Sequence, residues 1–186
     1  MRLYRCFAWR TDAGMDERDG PLWFPRAFQG DGRHDNPDLY GCIYMSQAQV
    51  SAVVEQLARF RSQRLIDSML LRRGLPLALA ELELADDGRL VDLDDPAVLT
   101  KRRLRPSRVA TRRRELTQAL ARQIYTGAPS PIGLLWWSTY EATWVNVTLF
   151  DRGRSRVKLG EVRVLSPGDP AVIEAADLLG LRRAES

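Results

Sequence analysis

One histidine, two cysteines and two lysines are all that this 186-residue chain holds of those types. With His34 as the only imidazole, a Ser-His-acid triad would depend on a single loop residue. Cys6 and Cys42 form no CxxC pair and no Cys/His cluster, so a zinc site is not expected. Both lie in apolar, strand-like segments and are expected to be buried free thiols of a reducing compartment. Four common signatures are also missing: GxxxxGK[ST], a GxGxxG opening a helix, HExxH and GxSxG. Their absence removes the usual phosphate-loop, dinucleotide-binding, metalloprotease and α/β-hydrolase classes. No run approaches the roughly 20 apolar residues of a membrane span. The opening MRLYRCFAWRTDAG lacks the apolar stretch of an export signal, so a soluble, cytoplasmic protein is expected. Catalysis in such a chain falls most naturally to Arg, Glu, Ser and Tyr.

What is present is ordinary in bulk and uneven in charge. Hydrophobic residues make up 45% and charged residues 28%, within the usual range of one globular domain. The net charge is +4, yet residues 101–122 alone carry +8 and the remainder −4. The basicity is therefore a local stripe. It contains no aromatic residue for stacking on bases, so nucleic-acid binding is not expected and an acidic protein partner fits better. Of 28 basic residues 26 are arginine, a bias that a GC-rich genome also produces.

Alternation and turn residues predict strands at 3–9, 41–45, 77–84, 89–93, 132–137, 145–150 and 159–165. The pair 77–84 and 89–93, joined by Asp86-Asp87-Gly88, reads as a hairpin. Helices are predicted from a Ser46/Gln49 capping box to about Arg61, then on to about Arg73, over 111–125 and over 170–179. In the 111–125 helix, Leu116, Ala119, Leu120 and Ile124 are expected inward. Residues 29–39, rich in Gly, Asp, Asn and Pro, read as a loop, and 94–108 as irregular. No repeat or linker divides the chain, so one domain over 1–186 is expected. Irregular strand–helix order favours α+β over doubly wound α/β.

Four polar residues stand where a scaffold could hold them at a cleft. Arg33 lies in GDGRHDNP, Tyr44 in GCIYMS, Glu55 in VSAVVEQL and Ser138 in GLLWWS. Arg33 is either a solvated loop residue, paired with Asp31 or Asp35, or a fork for phosphate oxygens. Tyr44 is either core packing or a ring that stacks on a base. Glu55 points about 150° from the stripe Val50, Val53, Val54 and Leu57, beside Ala48, Ser51 and Ala52. It is either a surface glutamate or a carboxylate placed in advance of developing positive charge, with the small-residue face letting a ligand approach. Ser138 is either a strand-end serine bonded to backbone or a hydroxyl that orients substrate. Trp136 and Trp137 face opposite sides of their strand.

Taken in order, LYRCF, GDGRHDNPDLYGCIYMS, QVSAVVEQL, TQALARQIYTGAPSPIGLLWWS and WVNVTLFD resemble the segments of the RES family over nearly the whole chain. One departure is His34, where the family usually carries a bulky aromatic. The resemblance implies a fold like ADP-ribosyltransferases, with a split β core and a V-shaped NAD+ cleft. It implies that NAD+ is consumed as a substrate, without metal, by cleavage of the nicotinamide–ribose bond through hydrolysis or phosphorolysis. The alternatives are ADP-ribosyl transfer to a protein, and a non-enzymatic binding module that uses the 101–122 stripe. The implied catalytic residues are Arg33, Glu55 and Ser138; Arg5, Arg33, Tyr44 and Ser138 would bind NAD+. The resemblance also implies a toxin paired with an Xre-type antitoxin.

Overall fold

An aspartate followed by proline starts two of the helices. Asp95 accepts from Ala97 N–H at 2.8 Å ahead of Pro96, and Asp169 accepts from Ala171 N–H at 2.9 Å ahead of Pro170. Each carboxylate satisfies a donor that the first turn leaves open, and the proline brings a φ already helical. Gly180, at φ 63°, closes the second of these helices in the left-handed conformation.

The computed structural model describes residues 1–85, 89–109 and 111–182. In chain order the elements are β1 (Arg2–Ala8), β2 (Cys42–Ser46), α1 (Gln49–Leu57), β3 (Leu71–Arg72), β4 (Leu75–Leu84), β5 (Leu90–Asp92), α2 (Pro96–Lys101), α3 (Pro106–Val109), α4 (Arg114–Thr126), β6 (Gly133–Trp137), β7 (Val145–Phe150), β8 (Val157–Val164) and α5 (Pro170–Leu179). The fold is α+β with a mixed pairing pattern, as expected. Among the described residues no helix is long and apolar enough to cross a membrane.

The chain forms two compact units, each from discontinuous segments. One comprises Met1, Phe24–Tyr44 and Leu84–Val157. Here β6 lies between β5, which is parallel to it, and β7, which is antiparallel. The core gathers Tyr40, Leu93, Leu120, Ile124, Leu134, Trp136 and Phe150. Tyr40 sits with its ring centroid 4.4 Å from Tyr125 and 4.5 Å from Phe150. The inward face of α4 is Thr117, Leu120, Ala121 and Ile124. Ala119, expected inward, is exposed and Leu116 only half-buried, because the helix is rotated to bring Thr117 against the 29–39 loop.

The other unit comprises Arg2–Trp23, Met45–Glu83 and Lys158–Ser186. In it β4 pairs antiparallel with β1 from Arg2↔Glu83 to Ala8↔Leu77, and also with β3 and β8. Helix α1 packs on α5 and β1. Small residues on α5, Ala171, Ala175 and Ala176, are buried and let the helix lie close.

Several local expectations give way to tertiary contacts. The Ser46/Gln49 capping box does not form: α1 begins after Ala48 with no side-chain cap, and Gln49 Oε1 accepts from Arg163 at 2.8 Å. That guanidinium also pairs with Asp169 at 2.9 Å, so the start of α1 is fastened to the cap of α5. The second helical stretch is only a 3-10 turn, Asp67–Leu70, before β3. The 77–84/89–93 hairpin is replaced by parallel pairing of β5 with β6 (Leu90↔Gly133). Its Asp86-Asp87-Gly88 turn lies outside the described residues. The region read as irregular contains α2 and α3.

Candidate functional site

The loop 29–39 is built around Asp35. One carboxylate oxygen accepts from Gly30 N–H at 2.9 Å and Gly32 N–H at 2.8 Å; the other accepts from the Tyr44 hydroxyl at 2.6 Å. The Tyr44 oxygen in turn accepts from His34 N–H at 2.9 Å. A Cβ on Gly32 would lie 2.4 Å from Asp35 Oδ1 and 2.5 Å from the Tyr44 oxygen, so only glycine permits this closure. Helix α4 holds the loop from the other side. Gln118 Nε2 donates to Gly30 O at 2.8 Å and Gly32 O at 2.9 Å, and Asn36 Nδ2 donates to Gln118 O at 3.0 Å. The Tyr40 hydroxyl donates to His34 O at 2.6 Å. A segment that composition marks as a loop is therefore bonded both within itself and to α4.

This frame carries Arg33 into the protein. Its side chain is buried, and Nη1 donates to Val109 O at 3.0 Å and Thr111 O at 2.9 Å. The guanidinium carbon stands 5.0 Å from the centre of the Trp136 ring, a cation–π distance. The solvated-arginine reading is thereby set aside.

His34 is 1% exposed and fills the place of an aromatic, edge-on to Trp136 at 5.4 Å. Its Nδ1 lies 2.8 Å from Thr148 Oγ1, which also receives Trp136 Nε1–H at 3.0 Å. The directions are consistent when tryptophan donates to threonine and threonine donates to a neutral ring protonated on Nε2. Burial above all, then the Arg33 and Arg114 charges, hold the imidazole well below its usual pKa. Burial likewise raises the Tyr44 hydroxyl well above its usual value, with Cys42 and Asp35 adding to it. The hydroxyl is thus held as a neutral structural bridge between Asp35 and His34.

Ser138 follows β6 and is 2% exposed. Its N–H donates to Trp144 O at 2.9 Å and its Oγ accepts from Tyr140 N–H at 3.2 Å, which turns the chain toward β7. Strand alternation puts Ser138 on the face of Trp136 and Leu134, while Trp137 is half-buried on the other. Asn146 of β7 is buried in register with Trp136. Arg33, Tyr44 and Ser138 thus belong to one unit: Arg33 and Tyr44 are joined through His34, and Arg33 contacts the tryptophan two residues before Ser138.

Arg5 and Glu55 belong to the other unit. Arg5 is buried, donating to Pro21 O and, at 3.2 Å, to Trp23 O, with its guanidinium 5.0 Å from the Phe7 ring. Glu55 is exposed on α1. Of the small residues expected beside it, Ser51 and Ala52 are buried and Ala48 is half-buried.

Thr117 and Thr148 escaped the sequence reading, and Asp35 entered it only as a partner for Arg33, not as the centre of the loop. For Thr148 a signal existed: β7 reads VNVTLF, and Asn146 and Thr148 are polar residues at alternate positions of a strand buried from Asn146 to Phe150. Cys6 and Cys42 are buried free thiols, as expected, and burial pushes Cys6 up to about 12.

The RES domain family matches residues 2–167. Among solved structures, a chain of the M. tuberculosis MbcT–MbcA toxin–antitoxin complex superposes with a TM-score of 0.66 at 17% identity, covering 95% of this chain and 87% of that one. At that identity the likeness is one of fold. No curated protein matches.

Proposed function

Because the chain belongs to the RES domain family, we propose that it is an NAD+-consuming enzyme that cleaves the nicotinamide–ribose bond. The family match over residues 2–167, containing every residue of the Arg33, Tyr44, Glu55 and Ser138 pattern, carries this reading. The C1′–N bond breaks, its electron pair passes to the pyridinium nitrogen, and neutral nicotinamide leaves. The oxocarbenium-like sugar is captured by water, which loses a proton to give ADP-ribose, or by inorganic phosphate, which gives a phosphorylated ADP-ribose. The leaving group is cationic in the substrate, so the reaction does not call for a metal.

In this proposal Arg33, with Arg5, binds the diphosphate, and the ring of Tyr44, its hydroxyl fixed between Asp35 and His34, stacks on nicotinamide. Ser138 fixes the nicotinamide ribose. Glu55 stabilises positive charge as it develops, an electrostatic role that depends on placement before the reaction. The proposed fold class is that of ADP-ribosyltransferases. The likeness to a chain of a toxin–antitoxin complex supports the further proposal of a bacterial, cytoplasmic toxin with a cognate antitoxin, of Xre type by family resemblance.

Product analysis with NAD+ in the presence and absence of phosphate, with EDTA throughout, tests the chemistry. Phosphate-independent ADP-ribose identifies a glycohydrolase, and a phosphate-dependent product a phosphorylase. Label transferred from NAD+ to protein instead would identify the transferase. Folded, inhibitor-free protein that releases no nicotinamide contradicts the proposal.

A further inference from the structure

A groove of about 670 Å³ lies in the unit that contains β5–β7, lined by β5, α2, the chain just after it and the loop before β6. All three consecutive residues of β5, Leu90, Val91 and Asp92, line it. Successive side chains of a strand point to opposite faces, so a groove touching three in a row runs along the strand's edge. The pairing agrees. Strand β5 ends the strand order, with β6 as its one strand neighbour among the described residues. Arg89 O accepts from Ile132 N–H at 3.0 Å and Leu93 N–H donates to Leu135 O at 2.9 Å, so odd-numbered residues face the β6 side. By alternation the main-chain groups of Leu90 and Asp92 point into the groove.

The charge of the groove has one sign in excess. Arg89, Lys101, Arg102 and Arg103 line it against Asp92 and Asp95. The two carboxylates already accept from Asp94 and Ala97 N–H. The side chains of Lys101, Arg102 and Arg103 have no hydrogen-bond or ion-pair partner among the described residues. An open strand edge supplies main-chain donors and acceptors, and unpaired cations beside it select for negative side chains.

We infer that this groove binds an extended acidic segment of a partner protein, which adds as a strand to the outer edge of β5 and sets its carboxylates against Lys101, Arg102 and Arg103. Main-chain bonds supply the docking and the cations supply the selectivity. The volume suits about five residues in extended form. The inference uses none of the residues proposed for NAD+ and stands or falls separately from that reaction.

The test uses the full-length ¹⁵N-labelled protein and a capped peptide of about eight alternating valine and glutamate residues. Slowed exchange of the Leu90 and Asp92 amides, with binding that weakens steeply with salt, is expected. Arg102→Gln combined with Arg103→Asn should weaken binding at least tenfold; asparagine suits the left-handed φ of 54° at Arg103, so the fold is kept. A peptide N-methylated along its β5-facing edge should not bind. Absence of binding at millimolar peptide, or equal binding of a lysine-for-glutamate peptide, overturns the inference. So does a response of residues 101–103 without protection of Leu90 and Asp92, which marks a bare anion site. A short oligodeoxythymidine that occupies the groove in place of the peptide would make it a nucleic-acid surface instead.

Discussion

Thr148→Val tests the frame that positions Arg33, because it removes one buried oxygen at nearly constant volume. Two groups lose their partner: Trp136 Nε1, now at 3.0 Å, and His34 Nδ1, at 2.8 Å. A buried polar group left unsatisfied costs about 1–3 kcal/mol. Two such groups, less the relief of no longer burying a hydroxyl, give a loss of about 2–4 kcal/mol. For a chain of this length that lowers Tm by about 5–12 °C. Adding His34→Phe removes one orphan and should restore about 1–2 kcal/mol, a coupling that a double-mutant cycle measures. The pH dependence is a second signature. The folded-state pKa of His34 lies well below 6.5. Below pH 6.5 the unfolded chain therefore takes up a proton that the folded chain excludes. Stability falls as the pH drops, by up to about 1.4 kcal/mol per pH unit, until the folded-state pKa is reached. His34→Phe should abolish that slope. Urea unfolding followed by tryptophan fluorescence at pH 7.5, 6.5 and 5.5 reads both effects. A Thr148→Val protein within about 0.5 kcal/mol of wild type, or a His34→Phe protein with the acid slope intact, refutes the reasoning.

Gly32→Ala should break the Tyr44–Asp35 bond and cost about 1–3 kcal/mol, with faster amide exchange across 29–36; unchanged exchange there would contradict the closure described. Asp169→Ala should cost about 1–3 kcal/mol, since the cap of α5 and the Arg163 pair are lost together, and retention of wild-type stability would show that neither matters. Cys6 and Cys42 should react with a thiol reagent only as the protein unfolds, because both are buried and burial pushes Cys6 up to about 12; labelling of native protein at the rate of a free thiol would contradict that burial.

Elements whose information is local were legible in the sequence. Alternation found β1, β2, β6, β7 and β8, and the helix read over 170–179 matches α5 to the residue. Elements decided by distant partners were not. Gln49 bonds to Arg163, 114 positions away, so its capping-box spacing to Ser46 was coincidental. Strand β5 pairs with β6, which lies far along the chain (Leu90↔Gly133), and a nearby turn motif does not encode that partner. The loop shows the same division. Its glycines and its candidates Arg33 and Tyr44 were readable, whereas the bonds of the Asp35 carboxylate that tie them together are three-dimensional facts. For Glu55 the helical wheel correctly set it opposite the aliphatic stripe, but it could not tell that Ser51 and Ala52 would be covered.

Nicotinamide release from NAD+ by wild type and by Glu55→Gln, side by side, tests the central claim most directly. Glutamine keeps the size of an exposed side chain and removes its charge, so both proteins should show the same unfolding midpoint. The account predicts metal-independent release by wild type and a loss of about 100-fold or more in the variant, as for removal of a pre-placed electrostatic group. Equal rates in the two proteins, or no release by folded wild type, would contradict it.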